Sequence, residues 1–429
     1  MISKLLCVSG FFIVFSLIPA AMASDENTEA EESFFSKLPP IETHGFYEVR
    51  GGYRLQNDKY EKDMSIMEGR FQFDLFSYLD WGDIKVKGDV IGDMVTEEGD
   101  FDMREANIFS RPTDYMDLKV GRQILTWGTG DLIFINDLFP KDWQSFFIGR
   151  DVEYLKAPSD AGKVSLFGET ANLDIVYTPK FDPDRYISGE RISYWNQNLG
   201  RTAGRDAIVH TEKPDEWFRD SEIAARLYKN IDNYELAFYG YRGYWKSPGG
   251  QDAVTGEAIF PDLNAYGASL RGSVGKGIGN VEIGYYQSAD DTGGKNPLIN
   301  NSEMRYLVGY TQEIAKNFTM GLQYYIEQML DFGSYKRNLP SGPARDEDRH
   351  LTTLRLTKLL MNQNLRLSLF TYYSPTDKDV YMRPNVNYKV SDNTAVEAGS
   401  NIFFGDYPQT FFGQFRDNTN IYAGLRYSF

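Results

Sequence analysis

Cysteine is almost absent from this chain of 429 residues: Cys7 is the single one. It lies in an apolar run from Leu5 to Ile18, after Met1-Ile2-Ser3-Lys4 and before Pro19 and Ala21-Met22-Ala23. One basic residue, a short apolar core and small residues two apart make a secretory signal, with cleavage expected after Ala23. The core is shorter than the roughly 20 residues that span a bilayer, and Pro19 interrupts it, so an uncleaved anchor fits less well. With the signal removed no cysteine remains. That excludes disulfides, thiolate metal sites, haem attachment and thiol nucleophiles. Cys7 also comes too early to follow a signal core and carry a lipid.

Histidine is scarce too. His44, His210 and His350 are far apart and lack ligand spacing, with His44 placed just before the first expected strand, so no metal centre is expected. Positive charge is in deficit, with a net charge of −16. A phosphate backbone needs a basic footprint, so nucleic acid is excluded as a partner. No segment after the signal is long and apolar enough for a transmembrane helix. If the chain crosses a membrane, a closed barrel is the other way to satisfy its backbone in lipid.

Aromatics, by contrast, are abundant, at 15% of residues with 29 Tyr and 29 Phe. Yet the mean hydropathy is −0.46 and 25% of residues are charged. A soluble protein this aromatic would bury its rings and read as more hydrophobic. Lipid outside and water inside explains both values.

From Gly45 onward the dominant period is two. Tyr47, Val49, Gly51 and Tyr53 alternate with Glu48, Arg50, Gly52 and Arg54. Met67, Phe71, Phe73 and Leu75 alternate with Glu68, Arg70, Gln72 and Asp74, and the C-terminal half repeats the pattern. Segments of about ten residues match a tilted strand crossing a bilayer. Connections alternate short and long. Short ones fall near Gly82, Pro112, Thr170, Ile231, Gly277, Ala315, Asn362 and Ser391. Long ones include Asn57–Asp63, Thr126–Gly162, Lys180–Asp220, Gly243–Asp262, Ala289–Asn301, Met329–Arg349 and Gly405–Asn418. Only the connection around Thr376 is short where a long one is expected.

The fold class is therefore all-β: a transmembrane antiparallel barrel with short periplasmic turns, long extracellular loops and roughly 18 strands, 16 being the nearest alternative. The strands near Asn107, Leu166 and Ile175 carry the weakest pattern. Residues 1–23 form the signal, 24–44 an acidic periplasmic segment and 45–429 the barrel. Trp81, Tyr177, Trp245 and Tyr373 near strand ends fit interfacial girdles. The last strand alternates Ile421, Ala423, Leu425, Tyr427 and Phe429 against Tyr422, Gly424, Arg426 and Ser428. A strand ending in a terminal phenylalanine resembles the signal read by the outer-membrane assembly machinery.

Residues Leu118-Lys119-Val120-Gly121-Arg122-Gln123-Ile124-Leu125-Thr126-Trp127-Gly128 end a strand in Gly-Arg-Gln, with Trp-Gly soon after, and lead into Asp131 to Trp143. This stretch resembles porin-like barrels of the alginate-export type, whose following loop tends to enter or cover the lumen. The resemblance implies a transport role. It points to Arg122, Trp127, Asp131, Asp137 and Trp143 as a constriction segment. Alginate exporters have a strongly arginine-rich lumen, whereas the inward charges here are mixed. The apolar stretches Leu132-Ile133-Phe134-Ile135 and Phe146-Phe147-Ile148 are themselves too apolar for a freely solvated loop.

The inward face supplies the remaining candidates. Arg226, Arg271, Arg305, Arg355, Arg383 and Arg426 fall on polar faces, each expected within a few pleats of the periplasmic rim. Glu235, Glu282 and Glu397 are expected at similar depth. They form either a ladder of cross-strand ion pairs stiffening the wall or a charged, pore-lining constriction. The sequence thus reads as a passive channel for small polar or anionic solutes in the outer membrane of a Gram-negative bacterium, reached after export through the inner membrane. Outer-membrane lipid is the expected surrounding, an oligomer is compatible, and neither cofactor nor enzyme activity is expected. A barrel sheath around a periplasmic electron carrier, a receptor, or an outer-membrane enzyme are the alternatives.

Overall fold

The structure is a computed structural model that describes residues 40–339 and 343–429. The signal segment and nearly all of the acidic segment lie outside the described residues. Eighteen antiparallel strands form one closed sheet. The first six are β1 (Ile41–Arg54), β2 (Met64–Leu79), β3 (Gly82–Asp93), β4 (Glu98–Thr113), β5 (Met116–Ile124) and β6 (Pro158–Leu166). Then come β7 (Asn172–Thr178), β8 (Glu222–Ile231), β9 (Tyr234–Tyr244), β10 (Asp262–Val274), β11 (Gly277–Ser288) and β12 (Glu303–Ala315). The last are β13 (Phe318–Met329), β14 (Asp348–Leu360), β15 (Leu365–Ser374), β16 (Asp379–Lys389), β17 (Thr394–Gly405) and β18 (Asn420–Ser428). Each strand pairs with its neighbour in sequence. β18 returns to β1, from Phe46 opposite Ser428 to Arg54 opposite Asn420, and closes the barrel.

The expected strand number is met, and the weakly patterned stretches around Asn107, Leu166 and Ile175 are β4, β6 and β7. Two boundaries differ. β1 begins at Ile41 rather than 45, so His44 lies inside the strand opposite Asp74 instead of before it. The connection 94–97 between β3 and β4 is also short at the end where loops are long. There the Asp93 carboxylate accepts the Val95 N–H at 2.8 Å, and Glu97 takes a φ of 64°, which closes the turn tightly.

The two faces of the sheet are inverted relative to a soluble protein. Val49 and Val281 are 60% and 51% exposed, whereas Glu48 and Arg70 are 4% and 3% exposed. Apolar side chains pointing out and charges packed inside are the polarity of a wall with lipid around it. Trp81, Tyr177 and Tyr373 are exposed on that outer surface, but Trp245 is buried against Tyr286. It lies one residue past β9, in step with the buried Tyr239 and Tyr241, and its N–H still bonds the Pro261 carbonyl at 3.0 Å, so the ring falls on the inner face.

The core is inside the barrel and is made largely by one connection. Residues 125–157 leave β5, run around the interior and rejoin the wall at β6. Their helix α1 (Trp143–Ile148) starts where the Asp142 carboxylate caps the Ser145 N–H at 2.7 Å, and it ends on Gly149 at a φ of 96°. It presents Phe146 and Phe147 to the wall aromatics Tyr381 and Phe403. Burying aromatic rings of this size contributes about 2–3 kcal/mol each.

Candidate pore interior

The connection 125–157 is held by backbone and side-chain bonds to strands all round the wall. Glu282 on β11 accepts the backbone N–H groups of Thr129 and Gly130, the latter at 2.8 Å, and Asn136 Nδ2 at 3.0 Å. Tyr286 donates to the carbonyl of Ile135, and Tyr372 to that of Leu132 at 2.7 Å. Farther along, Arg50 on β1 donates to the Gly149 carbonyl at 2.7 Å, and Arg150 grips Glu68 on β2 at 2.7 Å. A Cβ at Gly267 would collide with Asn136, so the glycine makes the notch into which the segment presses.

The residues expected in this segment separate by partner. Asp131 accepts Arg355 through both carboxylate oxygens, with Nη2 at 2.8 Å, and its backbone is bracketed by Gln323. Asp137 accepts Lys141 at 3.0 Å and Thr126 at 2.8 Å. Trp127 packs edge-on against Phe139 with ring centroids 4.9 Å apart. Trp143 donates its indole N–H to Asp184 at 3.2 Å. Arg122 is not part of the crossing chain. It stays in β5, with Nε 2.8 Å and Nη2 2.7 Å from the two Asp160 oxygens of β6.

The six arginines do not form one ladder. Arg226 reaches Glu235 at 2.6 Å and Arg426 reaches Glu48 at 3.0 Å; these two are cross-strand pairs. Arg305 takes Glu303 of its own strand at 2.8 Å, stacks on Tyr286 and sits at the loop end of β12, away from the turn end where it was expected. Arg355 belongs to Asp131 of the crossing segment. Arg383 donates to the Arg150 carbonyl and lies over the Phe146 ring. Arg271 is exposed near the turn end of β10.

The glutamates divide likewise. Glu282, at 2% exposure, is covered by the segment it holds and faces no open space. Glu397 is taken up by Arg50 at 2.8 Å. Glu235, its side chain 31% exposed, keeps the largest solvent face, while Glu397 is 10% exposed. Alternation assigns a residue to the inner face but says nothing of which loop lies on top of it.

The alternation of Ile84, Val86 and Gly88 against Lys85 and Lys87 already puts Lys85 on the inner face. Its neighbours Lys119 and Lys163 escaped the sequence reading, as did a second group. Lys85, Lys119 and Lys163, on β3, β5 and β6, project inward with side chains 28–29% exposed. Glu105 takes Lys85 at 2.8 Å and Lys119 at 3.7 Å, while Lys163 lies 3.5 Å from Asp174. The alternation of Asp117, Lys119 and Gly121 carried that signal, inside one of the short strands. The second group is the long connection 179–221, which also folds inward. Arg185 bonds Asp102 of β4 at 2.6 Å, its carbonyl accepts the Trp143 N–H at 3.1 Å, and Arg191 pairs with Asp93. Asp184 receives Lys141 N, Trp143 Nε1 and Ser247 Oγ. Burial still holds its carboxyl above the usual range. No periodic signal marks such a loop.

Fold and interior together define a porin-like β-barrel, closed, polar inside and narrowed by its own loops. No family model matches the chain and no curated protein matches it, so the expected alginate-export kinship finds no family match. Solved structures do resemble it in fold. OccAB4 of Acinetobacter baumannii has a TM-score of 0.55 at 11% identity, covering 92% of this chain and 99% of that one. OccAB1 of the same organism gives 0.54 at 9%, covering 94% and 99%. OccAB3 gives 0.54 at 12%, covering 91% and 99%.

Proposed function

We propose that the chain is an outer-membrane channel through which small polar or anionic solutes diffuse passively. The observation that carries this reading is the inverted, closed barrel, apolar outside and charged inside, whose lumen is narrowed but still lined by partly exposed Lys85, Lys119 and Lys163. Fixed cations along a narrow polar path attract anions, and the polar groups beside them replace part of a solute's hydration shell. In this reading residues 1–23 are removed on export through the inner membrane, the turn end faces the periplasm, and Phe429 is read by the assembly machinery. The sheath alternative needs an empty lumen to enclose a carrier, and residues 125–157 occupy that space. Swelling of liposomes containing the purified protein tests the reading. Small sugars and organic anions should enter at rates that fall with size, whereas protein-bearing liposomes as tight as protein-free ones would overturn it.

A further inference from the structure

A cavity of about 280 Å³ opens on the inner wall at the turn end, below the crossing segment. β1, β16, β17, β18 and the turn 390–393 line it, together with Asp151 from the segment itself. Its charges sort by whether they already have partners. Arg50 is held by Glu48 at 3.2 Å and Glu397 at 2.8 Å, and Arg426 by Glu48 at 3.0 Å. These two arginines and two glutamates cancel. Among the described residues three charged groups of the lining enter no ion pair: Asp151, Asp392 and Lys389. Asp151 spends one oxygen on the Glu153 N–H at 3.1 Å and keeps the other. The unpaired set is thus one negative charge in excess. The rest of the lining is mainly hydroxyl and amide, from Asn387, Ser391, Asn393, Thr394 and Ser428, with Ala395 and Gly424 beside them and no aromatic ring.

From this we infer that the cavity is a binding subsite for a small hydroxylated ammonium ion, of the class of a single amino-sugar ring. The ammonium group meets Asp151 and Asp392, and the hydroxyls meet the amide and hydroxyl side chains. An anion fits poorly, because Lys389 would be its one uncommitted cation among an excess of carboxylates. An apolar ligand fits poorly as well, because a polar lining would lose its water without replacement. The volume lies at the small end of ligand pockets, which suits one ring. The inference draws on the channel reading only for the route by which the solute arrives.

Calorimetric titration of the full-length protein in detergent tests it, with glucosamine as the probe. N-acetylglucosamine (the same ring without the charge) and glucuronate are the comparisons. Saturable binding of glucosamine is expected, at least about tenfold tighter than that of either comparison, as a charge-assisted hydrogen bond requires. The double change Asp151→Asn and Asp392→Asn should remove that preference; asparagine keeps the turn at 151 capped. Lys389→Ala, which deletes the unpaired cation, should tighten glucosamine several-fold. Equal binding of N-acetylglucosamine, preference for glucuronate, or no saturable heat with glucosamine would overturn the subsite. Binding in a protein that passes no current would leave the subsite standing and remove the channel.

Discussion

Phe429 and Glu282 illustrate how much single residues carry. The Phe429 ring stacks on Phe71 at 6.2 Å and leans on Tyr47 at 5.5 Å, outside the barrel. Its backbone exchanges two hydrogen bonds with Gly45, at 3.0 and 3.2 Å. A Cβ at Gly45 would lie 2.7 Å from the Phe429 ring, so the glycine lets the seam close. Deleting Phe429 should lower the heat-modifiable fraction in outer membranes several-fold; assembly at the wild-type level would contradict this. Glu282 is a buried carboxyl group satisfied by three N–H donors of the crossing segment, and among the described residues it enters no ion pair. Glu282→Ala leaves those donors buried and unpaired, at about 1–3 kcal/mol each. The variant should unfold at a lower temperature and give a noisier open-channel current. A quiet current of unchanged size would place the anchor elsewhere. In the sequence Glu282 and Glu235 are indistinguishable, since both are acids on the inner face of a strand. What separates them is a contact with a loop about 150 residues away, and period two contains no trace of it.

At the scale of elements, strands were legible and loops were not. Strand faces follow from local alternation, so even β6 and β7, which are short, emerged. The apolar Phe146-Phe147-Ile148 told that its loop is not solvated, and the helix α1 buries those residues. The inward fold of 179–221 is held by scattered polar pairs such as Arg185–Asp102, which leave no pattern along the chain. Where this loop meets the loop 55–63, the Ser193 hydroxyl donates to Asp58 at 2.6 Å and Arg205 pairs with Glu61 at 3.3 Å. Burial pushes the Glu61 carboxyl up from 4.5 to about 7, against the opposing pull of Arg54 and Arg205. A carboxyl raised by folding contributes stability that is complete below 4.5 and is lost as pH rises through about 7. Limited proteolysis of the loop should therefore quicken between pH 5 and about pH 8. Glu61→Gln should flatten that profile. Protection that grows with pH would contradict the sign.

For the whole molecule, net charge and selectivity part company. The chain carries −16 overall, but exposed charges are screened beyond about 8 Å at physiological salt. The narrow interior is what a permeating ion meets. There the glutamates are largely taken up by arginines or by the crossing segment. The solvent faces of Lys85, Lys119, Lys163 and Arg271 stand against those of Glu235, Asp131 and Asp151. Reversal potentials in a salt gradient should show weak anion preference or near neutrality. Arg271→Ala together with Lys119→Ala should move them toward cations, whereas Arg383, buried under the crossing segment, does not face the permeating ion. Strong cation selectivity, unmoved by those changes, would mean that acidic loops set the field.

The central claim is that residues 125–157 narrow an otherwise open barrel, and single-channel recording in planar bilayers tests it most directly. The wild-type protein should give small, discrete steps, and a chain lacking residues 131–143 should give clearly larger ones. Steps of equal size, or silence from both proteins, would contradict the account.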